Sequence, residues 1–291
     1  MEQLLHTLQN GMKISYARYG VAGGNPALYF HGLPGSRLEG ELLNAAAVKY
    51  GIDLIAPDRF GYGNSSPVRQ GRYLTWVTAV EELTDTLHYD QFYLIAVSGG
   101  APYALACASQ LPSRVIATGI CCGLGSLVVP ELRAVMSMYA RGALFLAGYS
   151  PWLLKISYGS VISLLLRCVP RQVVSFLGKI NSKADQAILA ESEVHRIMAN
   201  NLACAFSRTN AGGIDDLVAA NQAWPFELSR VKSLQLWHGE QDHVVAPLHS
   251  KWLQQQVPDS ELHLVPGEGH FSLPIKYTER ILKTLVNMNK I

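Results

Sequence analysis

Phe92-Tyr93-Leu94-Ile95-Ala96-Val97-Ser98-Gly99-Gly100-Ala101-Pro102 is the stretch from which the rest of this chain can be read. Its first six residues form a short, wholly apolar run, which reads as a strand buried on both faces. A helix is predicted through Ala104 to Ala108, and Pro102 suits its first turn, where the missing N–H is one the helix leaves unpaired anyway. Ser98 thus falls between a buried strand and a helix. In a turn of the G-x-S-x-G kind the serine backbone is strained, so the residues two positions away must be small. Ala96 and Gly100 meet that demand. The competing reading is a glycine-rich turn with an incidental serine, able to bind an anion at the helix N-terminus.

Outward from this turn the same rhythm continues. Asn10-Gly11, between Leu4-Leu5 and the alternating Met12, Ile14 and Tyr16, predicts a hairpin with a type I′ turn. Ala27 to Phe30 and Ile52 to Ala56 read as buried strands, and Trp76, Val80, Leu83 and Leu87 recur at helical spacing. After a strand at Val115 to Ile120, the stretch from about Val128 to Trp224 has helical spacing without strands. Strands return at Leu234 to Trp237 and Leu262 to Val265, with helices around Leu248 and Trp252 and around Ile281, Leu285 and Met288. Alternating strands and helices predict an α/β fold with a mostly parallel central sheet flanked by helices. Residues 1–127 and 225–291 are expected to form its core, and 128–224 an inserted helical cap.

At 291 residues the chain suits one large domain, and 49% hydrophobic with 16% charged residues excludes disorder. A formal charge of +2 without a basic run argues against nucleic acid as a partner. Five cysteines without a C-x-x-C pair read as free thiols of a reducing compartment. No basic segment followed by an apolar one opens the chain, so a cytoplasmic location is expected. Ser150-Pro151 and Lys155 interrupt the apolar stretch from Ala143 to Leu166, so no membrane span is expected. His238, His243 and His249 lack the usual metal-ligand spacing, and neither Gly61-Tyr62-Gly63 nor Gly99-Gly100 is a phosphate loop.

A nucleophilic serine needs a base, and the base needs an orienting carboxylate. His238-Gly239-Glu240-Gln241-Asp242 follows the strand ending at Trp237, and Gly267-Glu268-Gly269-His270-Phe271 follows the next. The order Ser, Asp, His therefore runs along the carboxyl edge of one sheet, where open α/β proteins place their sites. Glu240 competes with Asp242 for the carboxylate role, as do Asp215 and Asp216 if the acid comes from an earlier connection. His31 reads as a brace for its loop. Asp58 and Arg59 read as holding the loop after their strand, with a substrate carboxylate as a second possible use of Arg59. Cys121-Cys122 reads as packing.

With His31-Gly32-Leu33-Pro34-Gly35-Ser36, Asp58-Arg59-Phe60-Gly61-Tyr62-Gly63-Asn64-Ser65, the serine turn, His238-Gly239-Glu240 with Asp242, and Gly269-His270, nearly the whole chain resembles the α/β-hydrolase fold family. It is most similar to that family's serine esterases and related hydrolases with a helical cap; Ala96 stands where the family more often has glycine. The resemblance implies Ser98 as nucleophile, His270 as general base and then acid, and Asp242 as orienting carboxylate. Oxyanion donors would be the backbone N–H groups of Leu33 and Gly99, supported by His31, Gly32, Ala96 and Gly100. It also implies a cofactor-independent serine hydrolase, without metal, acting on a small-molecule carboxylic ester of short-to-medium acyl chain. Epoxide hydrolases and haloalkane dehalogenases of this fold have a carboxylate where this chain has Ser98. Carbon-carbon bond hydrolysis, lyase chemistry, and a ligand receptor or signalling protein with slow turnover remain compatible with the same motifs. No motif specifies an oligomeric state.

Overall fold

Eight strands form one sheet in the computed structural model, which describes residues 4–68 and 72–288. In chain order they are β1 (Leu4–Thr7), β2 (Lys13–Gly20), β3 (Asn25–Phe30), β4 (Ile52–Pro57), β5 (Phe92–Val97), β6 (Val115–Cys121), β7 (Leu234–Gly239) and β8 (Ser260–Val265). Their spatial order is β1-β2-β4-β3-β5-β6-β7-β8. The pairs β1 with β2 and β2 with β4 are antiparallel, and all others are parallel. The helices outside the long connection are α1 (Asn44–Lys49), α2 (Arg72–Thr86) and α3 (Ala101–Gln110), then α12 (Leu248–Gln256), α13 (Ser272–Lys276) and α14 (Thr278–Asn287). Between β6 and β7 lie α4 (Pro130–Ala134), α5 (Met138–Tyr149), α6 (Pro151–Leu154), α7 (Ser163–Cys168), α8 (Pro170–Ile180), α9 (Lys183–Ala190), α10 (Ser192–Ala205) and α11 (Ala211–Ala220). A π-helical stretch, Lys155–Ile162, joins α6 to α7.

The continuous apolar runs follow from a sheet covered on both faces. Every residue of β4, β5 and β7 is buried. Alternate side chains of β5 go to opposite faces, as the strand period of two requires. Phe92, Leu94 and Ala96 pack with Trp76 and Val80 of α2 and Leu105 of α3. Tyr93, Ile95 and Val97 join Ala46 and Ala47 of α1 and Ile281 and Leu285 of α14. Since β5 is an interior strand, Ser98 emerges near the middle of the sheet's carboxyl edge.

The N-terminal hairpin forms, with Thr7 opposite Lys13, but its turn differs from the expected type I′. Leu8 N–H donates to Met12 O and Gly11 N–H to Leu8 O, closing a three-residue loop in which Gly11 has φ +82°. A type I′ turn needs positive φ at both central residues. Here Gly11 alone takes it, and the Asn10 side chain instead accepts from Met12 N–H at 3.0 Å.

Candidate active site

Ser98 has φ +51°, in the left-handed region that non-glycine residues rarely occupy, and is only 9% exposed. Such strain persists where the surroundings over-determine it. Here Val97 ends β5, residues Ser98–Gly100 make a single tight turn, and α3 begins at Ala101. The Ser98 carbonyl accepts from Leu124 N–H at 3.1 Å in the loop after β6. A Cβ on Gly100 would lie 2.3 Å from Phe30 O and 2.8 Å from His31 O, so this position admits only glycine without backbone movement. A Cβ on Gly99 would lie 2.5 Å from Leu33 Cβ and 3.3 Å from Leu33 N, so the loop after β3 packs directly against the turn that follows Ser98.

His270 follows β8 and Asp242 follows β7. Asp242 Oδ2 receives His270 Nδ1 at 2.7 Å, while its Oδ1 accepts from Val244 and Val245 N–H at 2.8 and 2.9 Å. His238 Nε2 approaches Oδ2 at 3.3 Å and also faces Val245 O at 2.8 Å, with its Nδ1 on Ser250 Oγ at 2.7 Å. Burial penalises the Asp242 charge, but His270 and His238 outweigh it and hold the carboxyl well below the usual carboxylate range. Burial likewise opposes a charged His270 ring, yet the Asp242 carboxylate prevails and raises its pKa. Ser98 and His270 line the same cavity, and no hydrogen bond joins Ser98 Oγ to the His270 ring. Catalytic contacts of this kind commonly tighten only with substrate bound.

The competing carboxylates sit elsewhere. Glu240 is exposed. Asp216, on α11, is buried against Arg59 at 2.8 Å and Arg72 at 2.7 Å, and accepts from the Tyr62 and Tyr103 hydroxyls at 2.8 and 2.5 Å. Burial would raise its pKa, but Arg72 and Arg59 bring it down to about 2. Asp215 lies 3.4 Å from Arg72. Arg59 is itself fully buried, donating to the carbonyls of His31 and Gly32 as well as to Asp216. The substrate-carboxylate use of Arg59 is therefore set aside. His31 is fully buried: its Nε2 accepts from Arg59 N–H at 3.1 Å, which leaves the Nδ1 proton for Gly32 O at 2.9 Å. Burial and the adjacent Arg59 push its pKa well below the ordinary histidine value, as befits a neutral brace.

Three further polar residues shape the site, and no local motif marks them. Asp185, fully buried on α9, accepts from the backbone N–H groups of His270, Phe271 and Ser272 at 3.1, 2.8 and 2.8 Å. It fixes the His270 loop and caps α13 from across the molecule. Glu39 accepts from Tyr29 Oη at 2.9 Å, Asn201 Nδ2 at 3.1 Å and Gly32 N–H at 3.3 Å, and burial pushes its pKa up. Asn201, on α10, also receives Ser36 N–H at 2.7 Å. Glu39 and Asn201 tie α10 to the loop after β3, and Asp185 ties α9 to the loop after β8. Among the described residues, Cys122, Asp242 and His270 offer metal-ligating atoms within 4.8 Å of one another. The carboxylate and the imidazole there are bonded to each other, and burial holds the Cys122 thiol protonated.

Two cavities meet at Ser98. One, of about 180 Å³, is bordered by His270, Glu39, Met198, Leu202 and Phe271. The other, of about 670 Å³, is bordered by Met136, Tyr139, Leu144, Leu154, Val161 and Leu217 from the helices between β6 and β7. Leu33, Pro34, Ser98, Leu177 and Val244 border both, and among the described residues neither lining holds a lysine or arginine.

The model of the Alpha/beta hydrolase family matches residues 23–281. The chain is 24% identical over 278 residues to 2-hydroxymuconate semialdehyde hydrolase of Pseudomonas putida, covering 91% of this chain and 86% of that one. Among solved structures, a thermophilic esterase from Thermogutta terrifontis superposes with a TM-score of 0.71 at 16% identity, covering 99% of this chain and 100% of the other. An epoxide hydrolase from Vigna radiata gives 0.70 at 19% identity, covering 99% and 97%. These last two likenesses are likenesses of fold.

Proposed function

This chain belongs to the alpha/beta hydrolase family, and from that premise we propose that it is a cofactor-independent serine hydrolase of carboxylic esters with Ser98, His270 and Asp242 as its triad. The observation that carries this reading is the strained Ser98 on the wall of a cavity it shares with His270, whose other ring nitrogen is held by Asp242. In the reaction His270 Nε2 takes the Ser98 proton as Oγ attacks the ester carbonyl. The N–H groups of Leu33 and Gly99 receive the oxyanion, and loss of one such donor typically costs about 10²- to 10³-fold in rate. His270 then protonates the departing alcohol, and water activated by the same ring releases the acid from Ser98.

The acid that protonates the alcohol must lie beside it, so the alcohol belongs in the smaller cavity, which His270 borders. The acyl chain belongs in the larger one, under the helices between β6 and β7, which we read as a cap over residues 128–224. Absence of a cation from both described linings favours a neutral ester over a carboxylated substrate, whose charge would be buried unpaired. Carbon-carbon bond hydrolysis is the second reading, favoured by the similarity to the Pseudomonas putida enzyme.

A fluorophosphonate should label Ser98 alone, and Ser98→Ala should lose both the label and roughly 10⁴-fold or more of the turnover of p-nitrophenyl esters. Efficiency should climb with acyl length and peak at short-to-medium chains as the larger cavity fills. Labelling without sustained turnover would make the chain a binding protein, and undiminished turnover in Ser98→Ala would remove the nucleophile assignment.

A further inference from the structure

We propose that the outer face of α5 to α8 docks on an anionic lipid surface, so that the larger cavity opens towards the membrane. Fifteen of the twenty exposed large apolar side chains among the described residues fall between Val128 and Ile180. Such concentration is unusual for a surface that meets only water. The inner face of α5 places Ala140, Ala143 and Leu144 on the cavity wall. Its outer face carries Met138, Arg141, Phe145 and Tyr149 at three- and four-residue spacing, with Met138 81% and Tyr149 79% exposed. Phe145 and Tyr149 stack at 4.6 Å. From Trp152 to Cys168 only Leu154, Gly159, Ser163 and Leu166 are buried, while Trp152, Ile156 and Leu164 are 68%, 46% and 58% exposed.

Charge selects the partner. Between Glu131 and Asp185 lie seven of the chain's 24 lysines and arginines and none of its 22 acids, so the rest of the chain is net acidic. Arg141, Lys155, Arg167, Arg171, Lys179 and Lys183 are exposed, and none pairs with a carboxylate among the described residues. Apolar and aromatic side chains interleaved with unpaired cations match the boundary of an anionic bilayer, where rings sit at headgroup depth and cations reach phosphates. Among the described residues no single helix is long and apolar enough to cross a membrane, and Trp152–Cys168 and Pro170–Ile180 meet at 104°, presenting a surface. Because Tyr139, Val161 and Ile162 border the larger cavity from these same helices, an ester dissolved in the lipid would reach Ser98 without crossing water. That delivery rests on the ester-hydrolase reading; the docking does not.

The test is sedimentation of the full chain with phosphatidylcholine vesicles, with and without phosphatidylglycerol. Capture by the anionic vesicles, weakened by salt, with a blue shift of fluorescence that disappears in Trp152→Phe, is expected. Each cation near such a surface contributes about fivefold in affinity, so Lys155→Glu with Arg167→Glu should lose at least about 25-fold. Phe145→Ser with Trp152→Ser should weaken capture too. None of these four residues borders either cavity, so fluorophosphonate labelling and hydrolysis of a water-soluble ester should stay unchanged, which also shows the variants fold. Ser98→Ala should bind vesicles like the unaltered chain, separating docking from catalysis. Failure to sediment with anionic vesicles, or equal capture of the charge-reversed chain, would overturn the proposal. So would a dimer in light scattering that Trp152→Ser dissolves, since a second copy would then cover this face.

Discussion

Gly100 and Gly142 show how differently the two walls of the site are made. At the sheet edge an added Cβ on Gly100 would meet the Phe30 and His31 carbonyls, whereas on Gly142 in α5 it would meet nothing within 4 Å. The same contrast runs through the charges. Near the sheet edge Arg59, Asp58 and Asp242 are buried and bonded on several sides, while the cations of α5 to α8 point outward. Backbone packing dictates the wall that holds Ser98 and His270. The facing wall has buried apolar clusters of its own, with Leu144 and Leu154 in one and Val174 and Phe206 in another, and a few deep polar anchors, Asp185, Asn201 and Asp216, that reach back to the sheet edge. On the proposed reading, chemistry thus falls on the part that cannot shift, and pocket shape on the part that tolerates change.

The largest way to strain this contrast is at Asp242. Asp242→Asn should fold yet lose on the order of 10⁴ in kcat, whereas Glu240→Gln should change it little; steady-state rates on one ester rank the two. Because the Asp242 carboxylate raises the His270 pKa, the ring stays protonated to a higher pH. Activity should therefore fall with decreasing pH through a midpoint above 6.5, and in Asp242→Asn that midpoint should move down. A pH profile flat across this range would remove His270 as the base.

Asp216 tests the deepest anchor. Asp216→Ala leaves two buried guanidinium groups without their shared carboxylate and should cost about 3 to 5 kcal/mol in denaturant unfolding. Its folded pKa of about 2 lies below the ordinary aspartate value of 3.8. The stability it contributes is complete above the unfolded value and is lost as pH falls from about 4 towards 2, a loss that the variant should lack.

Asp185 joins the two walls. Asp185→Ala should remove about 1 to 2 kcal/mol as a lost cap, and should slow ester turnover about ten- to a hundredfold because the His270 loop loses three bonds. A fall in stability with unchanged rate would make it an anchor only. The smallest effect belongs to Gly142→Ala, which should stabilise α5 by about 0.5 to 1 kcal/mol in thermal unfolding and leave turnover alone.

How much of this was readable in advance depends on distance along the chain. Strand and helix periods are local, so β5 was legible residue for residue, and the long helical connection was legible as a stretch without strands. Likewise, a serine between small residues and a histidine after a strand are short patterns. The hairpin turn was misread because Asn-Gly is compatible with two loop lengths, and the strand register chose between them.

Sequence alone determined the alternation of elements, the sheet they build, and the edge on which Ser98, Asp242 and His270 fall, because each follows from period and chain order. Only the tertiary structure decided which buried carboxylate does what. Asp185 reaches His270 across 85 positions and Asp216 reaches Arg59 across 157, and no local pattern encodes a partner so far away. It also decided that Arg59 is consumed in bracing a loop, and that the apolar residues of α5 to α8 divide between a cavity wall and an open face. Hydrophobicity says that a side chain favours leaving water; which neighbour receives it is settled by the packing of distant segments.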